Sequence, residues 1–273
     1  MKYADLHLHT IFSDGTSTPA ELIDTAKEID LSCISVVDHD TVGGIEQVLE
    51  IARLRDIEVL AGIELTAELD SQEIHILGYL IDYKNKALRQ KLEILQRNRI
   101  ERIHKITQKL KIMGIALEPD AIFNLAKQGT VGRLHIARAM LKEGLVNSTA
   151  EAFGKYIGDR CPAYVCGFRF TPKEAIRLIK DVGGIAVLAH PYSIKKVSIP
   201  LLIEQGLEGL EAYYPEHTPF LVDSYLRLAQ KYNLLITGGS DFHGLGKPEV
   251  KMGLVKIPYT LVERLKEAKE KNR

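Results

Sequence analysis

The residues best able to do chemistry come almost first: in Asp5-Leu6-His7-Leu8-His9-Thr10-Ile11-Phe12-Ser13-Asp14, two imidazoles and a following carboxylate fall within one short run. Residues two apart on a strand leave the same face, so His7 and His9 are able to converge on one ion while Leu6 and Leu8 take the other face. The Ser13-Asp14-Gly15 turn swings the Asp14 carboxylate back over the end of that strand. Imidazole and carboxylate together suit a divalent cation. A lone His-x-His is also what an ordinary half-buried edge strand carries, so the motif needs support from the rest of the chain.

That support comes from the elements that would position further donors. Short apolar runs alternate with helical stretches, and run after run carries a ligand-type residue at or near its end. Residues 33–37 lead into Asp38-His39-Asp40, residues 57–63 into Glu64, and the run 73–81 carries His75. Residues 184–189 end at His190, 207–212 lead to Glu216-His217, and 234–237 lead to Ser240-Asp241-Phe242-His243. A last run covers 252–257. Thr18-Pro19-Ala20-Glu21 is a helix start with a cap, a proline and an acidic third residue. Roughly seven strands with helical crossovers, and no Gly-x-Gly-x-x-Gly, favour a parallel α/β barrel over a dinucleotide-binding sheet.

In such a barrel the C-terminal strand ends open onto one mouth. His7, His9, His39, Glu64, His75, His190, Asp241 and His243 fall there, with Asp14 in the first loop. Taken singly, each reads as a satisfied polar residue or a helix cap. Six of the nine histidines and three carboxylates on one rim do not, because their desolvation and mutual repulsion need a counter-charge that cations supply. The expectation is a multinuclear metal site, with Mn, Fe or Zn preferred over Mg or Ca by the mixed donors.

Between about 84 and 164 the alternation stops and the sequence turns helical, which divides the chain into a barrel domain, 1–83 and 165–273, and an inserted helical lid, 84–164. Leu88, Leu92, Leu95, Ile103, Ile106 and Leu110 make one stripe of a helix over 85–113, and Arg99 and Arg102 interrupt it. These arginines either snorkel from a packed face or contact a ligand. Residues 84–111 hold ten Lys or Arg against two Asp or Glu, a local positive field. Arg133 and His135 follow Gly132 at a helix start, a place for a phosphate or plain surface. His217 is a helix cap, a phosphate contact or a proton donor.

Composition narrows the partners. Of 273 residues 45% are apolar, enough for a large core, and 36 Lys or Arg balance 36 Asp or Glu. No global field points to duplex DNA. There is no apolar leader and no run long enough to span a bilayer, so a cytoplasmic chain without a membrane partner is expected. Cys33, Cys161 and Cys166 match neither a zinc ribbon nor a disulfide framework, and reduced thiols are the default.

The ordered set His7-x-His9, Asp14, Asp38-His39-Asp40, Glu64, His75, Ala189-His190-Pro191 and Ser240-Asp241-x-His243 resembles the PHP (polymerase and histidinol phosphatase) family of metal-dependent phosphoesterases over residues 1–83 and 165–257. The resemblance implies a distorted (βα)7 barrel holding three divalent ions. It assigns His7, His9, Glu64 and Asp241 to one ion, Asp14, His39 and His243 to a second, and Glu64, His75 and His190 to a third, with Glu64 bridging. The implied reaction is phosphoester hydrolysis by a hydroxide bridging two ions, with Asp14, His217 and Asp241 as the catalytic candidates.

Gly132-Arg133-Leu134-His135-Ile136-Ala137 and Tyr213-Tyr214-Pro215-Glu216-His217-Thr218 are similar to the subgroup that dephosphorylates nucleoside 3′,5′-bisphosphates and trims short RNA from its 5′ end. This points to a small phosphorylated substrate, a nucleotide or a short RNA, with Arg133, His135, His217, Arg99 and Arg102 as contacts. The chain departs from that subgroup at Cys166-Gly167-Phe168-Arg169, where a proline and a basic residue are usual. The alternatives are a histidinol-phosphate phosphatase and a non-catalytic metal-binding PHP module.

Overall fold

The computed structural model describes residues 2–70, 72–127, 129–166, 170–193 and 198–272. The strands are β1 (Tyr3–Leu8), β2 (Cys33–Val36), β3 (Glu58–Leu69), β4 (Gln72–Tyr79), β5 (Ile185–Leu188), β6 (Gly209–Tyr213), β7 (Leu235–Gly238) and β8 (Ile257–Pro258). They form one sheet in the order β7-β6-β5-β4-β3-β2-β1-β8. Beyond β7 the chain returns to β1, where His9 N–H donates to Phe242 O at 3.0 Å and Phe242 N–H donates to His7 O at 3.3 Å. The sheet thus curls into a nearly closed barrel. Its short strands β2 and β5 are buried on both faces; β5 is wholly apolar, and in β2 the one polar residue, Ser35, donates its hydroxyl to the Leu60 carbonyl at 3.0 Å.

The distortion has a specific form. β1, β2 and β3 run parallel, as do β5, β6 and β7, but β4 is antiparallel to both β3 and β5. Only residues 70 and 71 separate β3 from β4, far too few for a parallel crossover. The reversal brings the N-terminal half of β4 to the mouth, so His75, paired with Thr66, arrives beside the strand ends of its neighbours. The strand expected to stop at Glu64 continues to Leu69 as the other arm of this hairpin. The strand expected over 252–257 is reduced to Ile257–Pro258, antiparallel to β1, because Gly253 turns the chain at φ +73°.

Helices cover the barrel where the caps indicate. α1 (Pro19–Glu28) starts with a reciprocal Thr18–Glu21 capping box, and α2 (Ile45–Arg55) follows β2. The insertion contributes α3 (Lys86–Ile112), α4 (Pro119–Ala126), α5 (Arg133–Lys142) and α6 (Thr149–Ala152), the last running into a π-helical turn, Phe153–Ile157. α7 (Pro172–Asp181), α8 (Ser198–Glu204), α9 (Pro219–Tyr232) and α10 (Tyr259–Lys271) complete the set. No helix among the described residues is long and apolar enough to cross a membrane.

α3 belongs to two cores. Leu88, Leu92 and Leu95 pack into the barrel cluster with Ile63, Ile76 and Ile179, whereas Ile103, Ile106 and Leu110 join a separate cluster with Ile122, Ile136 and Met140. Arg99 and Arg102, both 6% exposed, sit at the junction. They interrupt the apolar stripe where it passes from one core to the other.

The strand-end turn after β7 is set by close backbone packing. A Cβ on Gly239 would lie 2.4 Å from both His7 N and His7 Cβ, atoms of a central strand with nowhere to go. Gly239→Ala is therefore expected to lower stability by about 1–3 kcal/mol, the usual cost of overpacking, read as a shift of the urea midpoint at unchanged slope. A midpoint equal to that of the parent chain would show that β1 does yield there.

Candidate metal centre

Glu64 is the hub of the site. Its carboxylate is 1% exposed and meets five imidazoles. Oε2 is 3.1 Å from His7 Nε2, 3.2 Å from His9 Nε2 and 3.4 Å from His39 Nδ1. Oε1 is 2.8 Å from His75 Nδ1 and 3.2 Å from His190 Nε2. Asp241 Oδ1 joins His7 and His9 at 3.4 and 3.3 Å. Asp14 lies 3.2 Å from His243 Nε2, 3.8 Å from His39 Nε2 and 3.9 Å from His9 Nδ1.

Three groups have donor atoms within 4.8 Å of one another: His7, His9 and Asp241; His9, Asp14, His39 and His243; and His39, Glu64 and His75. Relative to the sets implied by the resemblance, the second takes in His9, and the third has His39 where His190 was assigned. All nine expected donors converge on one place.

The histidines are oriented from behind. His7 Nδ1 is 2.8 Å from Glu211, and His75 Nε2 is 2.9 Å from Glu73. His243 Nδ1 is 2.8 Å from the Asp241 carbonyl. Those partners accept only, so the ring nitrogens facing them donate, and His7 Nε2, His75 Nδ1 and His243 Nε2, turned inward to Glu64 and Asp14, are the nitrogens that would offer lone pairs to a bound cation. This backing by carboxylate or carbonyl is how ligating imidazoles are held.

Inside, His9 Nε2, Asp14 Oδ1 and His39 Nδ1 are buried and have no hydrogen bond, although charged neighbours stand 3.2–3.9 Å away. Donors at that separation without hydrogen-bond geometry surround a common centre instead of pointing at each other. The residues present fit divalent cations.

Electrostatics agree. Burial opposes charge on His9 and His75, yet the neighbouring carboxylates outweigh it and push them up to about 9 and about 10. Burial would raise Glu64, but the charge of His39, His7 and His75 holds it well below the usual carboxylate range. The cluster demands positive charge at its centre.

Backbone conformation adds to this. Asp40, His190 and Asp241 sit at φ +49°, +28° and +55°, uncommon values for residues with side chains and held only by a surrounding that over-determines them. Asp40 is fixed by Thr66 N–H at 2.9 Å and by Arg99 Nε at 2.7 Å. Tyr214 hydroxyl and Lys247 Nζ donate to Asp241 Oδ2 at 2.8 and 2.6 Å, leaving Oδ1 for the centre.

A cavity of about 430 Å3 opens over these donors, and the insertion supplies its other wall with Arg99, Arg102 and Arg133. None of the three is a loose cation. Arg102 Nη1 donates to Glu73 at 2.6 Å, and Arg133 bridges Glu73 at 3.0 Å and Asp159 at 2.7 Å. For Arg133 the plain-surface alternative fails, since it is largely buried and ion-paired.

His135 and His217 are placed differently from the expectation. His135 accepts Gly132 N–H on Nδ1 at 3.1 Å, is pushed down to about 4 by burial, and does not line the cavity. His217 holds the Ala212 carbonyl through Nδ1 at 2.9 Å and packs against Tyr192 and Tyr214, which line the cavity where it does not. Its remaining nitrogen is buried without a hydrogen bond. Residues 167–169 of the Cys166–Arg169 departure lie outside the described residues.

Glu73, Glu211 and Lys247 were missed in the sequence. Glu211 was detectable as a lone carboxylate inside an apolar strand, and Glu73 as the residue two before His75 on the same face. Lys247 lies in a loop with no pattern to mark it.

Comparison with known proteins gives a consistent answer. The PHP domain family matches residues 5–152. The chain is 31% identical over 254 residues to the 3′,5′-nucleoside bisphosphate phosphatase of Chromobacterium violaceum, covering 90% of this chain and 89% of that one. It is 32% identical over 248 residues to the 5′-3′ exoribonuclease of Haemophilus influenzae, covering 89% and 90%. Among solved structures, the proposed metal-dependent phosphoesterase of Bifidobacterium adolescentis superposes with a TM-score of 0.88 at 28% identity, over 96% of this chain and 94% of that one.

Glu211→Gln keeps the shape but leaves His7 Nδ1 facing an amide. Metal retention against a chelator is expected to fall by about 10–100-fold, the range for such backing groups. Unchanged retention would make Glu211 a purely structural carboxylate.

Proposed function

Because the chain belongs to the PHP family and is a metal-dependent phosphoesterase, we propose that its preferred substrates are nucleoside 3′,5′-bisphosphates, cleaved at the 3′-phosphate, and that it also trims short RNA from the 5′ end. One observation carries the reading. Arg99, Arg102 and Arg133 of the insertion face the donor cluster across a single cavity, so the chain has cationic groups for a second phosphate apart from the one being cleaved. The names of the two relatives, 3′,5′-nucleoside bisphosphate phosphatase and 5′-3′ exoribonuclease, favour the same substrates.

In this reading His7, His9, Glu64 and Asp241 would hold one ion, Asp14, His39 and His243 a second, and Glu64, His75 and His190 a third, each Mn, Fe or Zn. Such ions, when bound, supply Lewis-acid stabilisation of phosphoryl oxygens and a water acidic enough to act as nucleophile near neutral pH. The chain's own groups do the rest. Asp14, Glu64 and Asp241 stay ionised beside the imidazoles, and burial opposes this without prevailing. Lys247 and Tyr214 fix Asp241 so that one oxygen faces the centre. Arg102 and Arg133 orient the substrate's remaining phosphate, and their guanidinium planes suit two-point contact.

The purified protein is expected to carry close to three transition-metal ions by elemental analysis and to lose phosphate release on chelation. One ion or none after reconstitution with Mn, Fe and Zn would sink the trinuclear arrangement.

Arg133→Ala tests the substrate. Removing one charge-assisted bond to phosphate is expected to raise KM for adenosine 3′,5′-bisphosphate by about 10–100-fold, with p-nitrophenyl phosphate hydrolysis nearly unchanged. Equal losses on both substrates, with reduced metal content, would instead show Arg133 acting through Glu73 on the metal centre. If the unaltered chain hydrolysed histidinol phosphate faster than the bisphosphate, the bisphosphate assignment would fail.

A further inference from the structure

A second groove, of about 660 Å3, lies on the insertion beside the catalytic cavity, with Lys105, Gln108 and Lys109 of α3 on one side and Arg160 and Tyr164 on the other. Positions 102, 105 and 109 are spaced three and four apart, so they share one helical face. The row that begins with Arg102 in the catalytic cavity therefore continues into the groove, one turn of about 5.4 Å at a time.

Tyr164 joins the two spaces. Its ring centroid is 5.4 Å from the Arg102 guanidinium carbon and 5.3 Å from that of Arg133, and the same residue lines the groove. The two spaces differ in charge compensation. Every arginine on the cavity wall is paired with a carboxylate. No carboxylate lines the groove, and among the described residues Lys105, Lys109 and Arg160 have no carboxylate within ion-pair distance. Lys109 Nζ instead donates to the Tyr164 carbonyl at 2.6 Å.

Uncompensated cations in file beside a half-exposed aromatic ring are the pattern that holds single-stranded nucleic acid, the cations following the phosphates and the ring face taking a base. A nucleoside bisphosphate held in the cavity has no phosphate left to place beyond Tyr164. A longer strand does. An acidic peptide would answer the charge but not the continuity with a cavity built to cleave phosphoesters.

We infer that this groove is the track for the nucleotides that follow the one being cleaved in a single-stranded RNA, with Lys105 and Lys109 each contacting a backbone phosphate. The inference rests on reading the cavity as a nucleotide phosphoesterase site.

The test uses the metal-loaded protein with two substrates, adenosine 3′,5′-bisphosphate and a 5′-phosphorylated pentanucleotide RNA. Lys105→Glu/Lys109→Glu is expected to raise KM for the pentanucleotide about tenfold or more and to leave bisphosphate kinetics within twofold. The dependence of log kcat/KM on log salt for the pentanucleotide should become shallower by about 1.4, roughly 0.7 for each single-strand phosphate that the protein no longer neutralises. Lys105→Glu alone, at an exposed position, should show about half that change in slope and guards against misfolding of the double variant.

Unchanged pentanucleotide kinetics with intact bisphosphate hydrolysis would overturn the track and leave the bisphosphate reading standing. So would bisphosphate hydrolysis with no cleavage of the pentanucleotide by the unaltered chain. Equal losses on both substrates would place the lysines' effect in the cavity, and the track would fall. Hydrolysis of p-nitrophenyl phosphate but of neither nucleotide substrate would overturn both readings.

Discussion

The structure depends on the burial of one carboxylate, that of Glu64, whose two oxygens are shared among five imidazoles. An ionised group in that position is tolerated only with compensation from every side. The five compensating histidines come from four parts of the barrel: His7 and His9 from β1 and the residue after it, His39 from beyond the end of β2, His75 from β4 and His190 from beyond the end of β5. The barrel's near-closure is what brings those strands within reach of one another. Without positive charge at the centre, the imidazoles themselves are drawn to carry it, as the raised His9 and His75 show against the opposing effect of burial. Bound divalent cations would meet that demand with the rings as neutral ligands, which would couple metal binding to the stability of this end of the barrel.

The same logic shapes the insertion. α3 is long because it belongs to two hydrophobic clusters, and its arginines fall at the seam between them. Arg99 answers Asp40, which holds Thr66 of β3 near the mouth, and Arg102 answers Glu73 at the start of β4. The β3–β4 hairpin is thus pinned by guanidinium groups from the insertion, and a helical segment inserted between two strands of the barrel becomes part of the wall of its cavity.

Much of this was legible in the sequence because metal chemistry leaves a loud pattern. Residues at strand ends, His-x-His on one face, and capping boxes such as Thr18–Glu21 each follow from local geometry, and the nine donor-type residues that the structure brings to one mouth were singled out on that basis. Tertiary relations were not legible. The reversal of β4 is a matter of topology, and although His75 was assigned to the mouth, it arrives there through an antiparallel strand. Arg133 read as a phosphate site or as surface because the spacing of Glu73 and Asp159 along the chain says nothing of their meeting it. His135 and His217 look basic in sequence, yet burial keeps the first neutral and sets the second behind two tyrosines. A histidine's charge is a property of its surroundings, and the sequence holds only the ring.

Glu73 ties these threads together. One of its oxygens meets His75 Nε2 at 2.9 Å and Arg133 at 3.0 Å, and the other takes Arg102 at 2.6 Å. Burial would raise this carboxyl, and the charges of Arg133 and Arg102 hold it well below its ordinary range. Drawing both guanidinium groups away would leave a buried carboxylate uncompensated, and His75 is the partner that would then bear its charge. Because His75 turns its second nitrogen to Glu64, the disturbance would arrive at the hub of the donor cluster within two side chains. Arginine suits this position better than lysine, since the guanidinium of Arg133 spans Glu73 and Asp159 with separate nitrogens and has donors left over. A compact ammonium would have to choose. The wall that faces the substrate and the ring that faces the ions are therefore held by the same carboxylate, and Arg102 at 2.6 Å keeps that carboxylate compensated when Arg133 alone is lost.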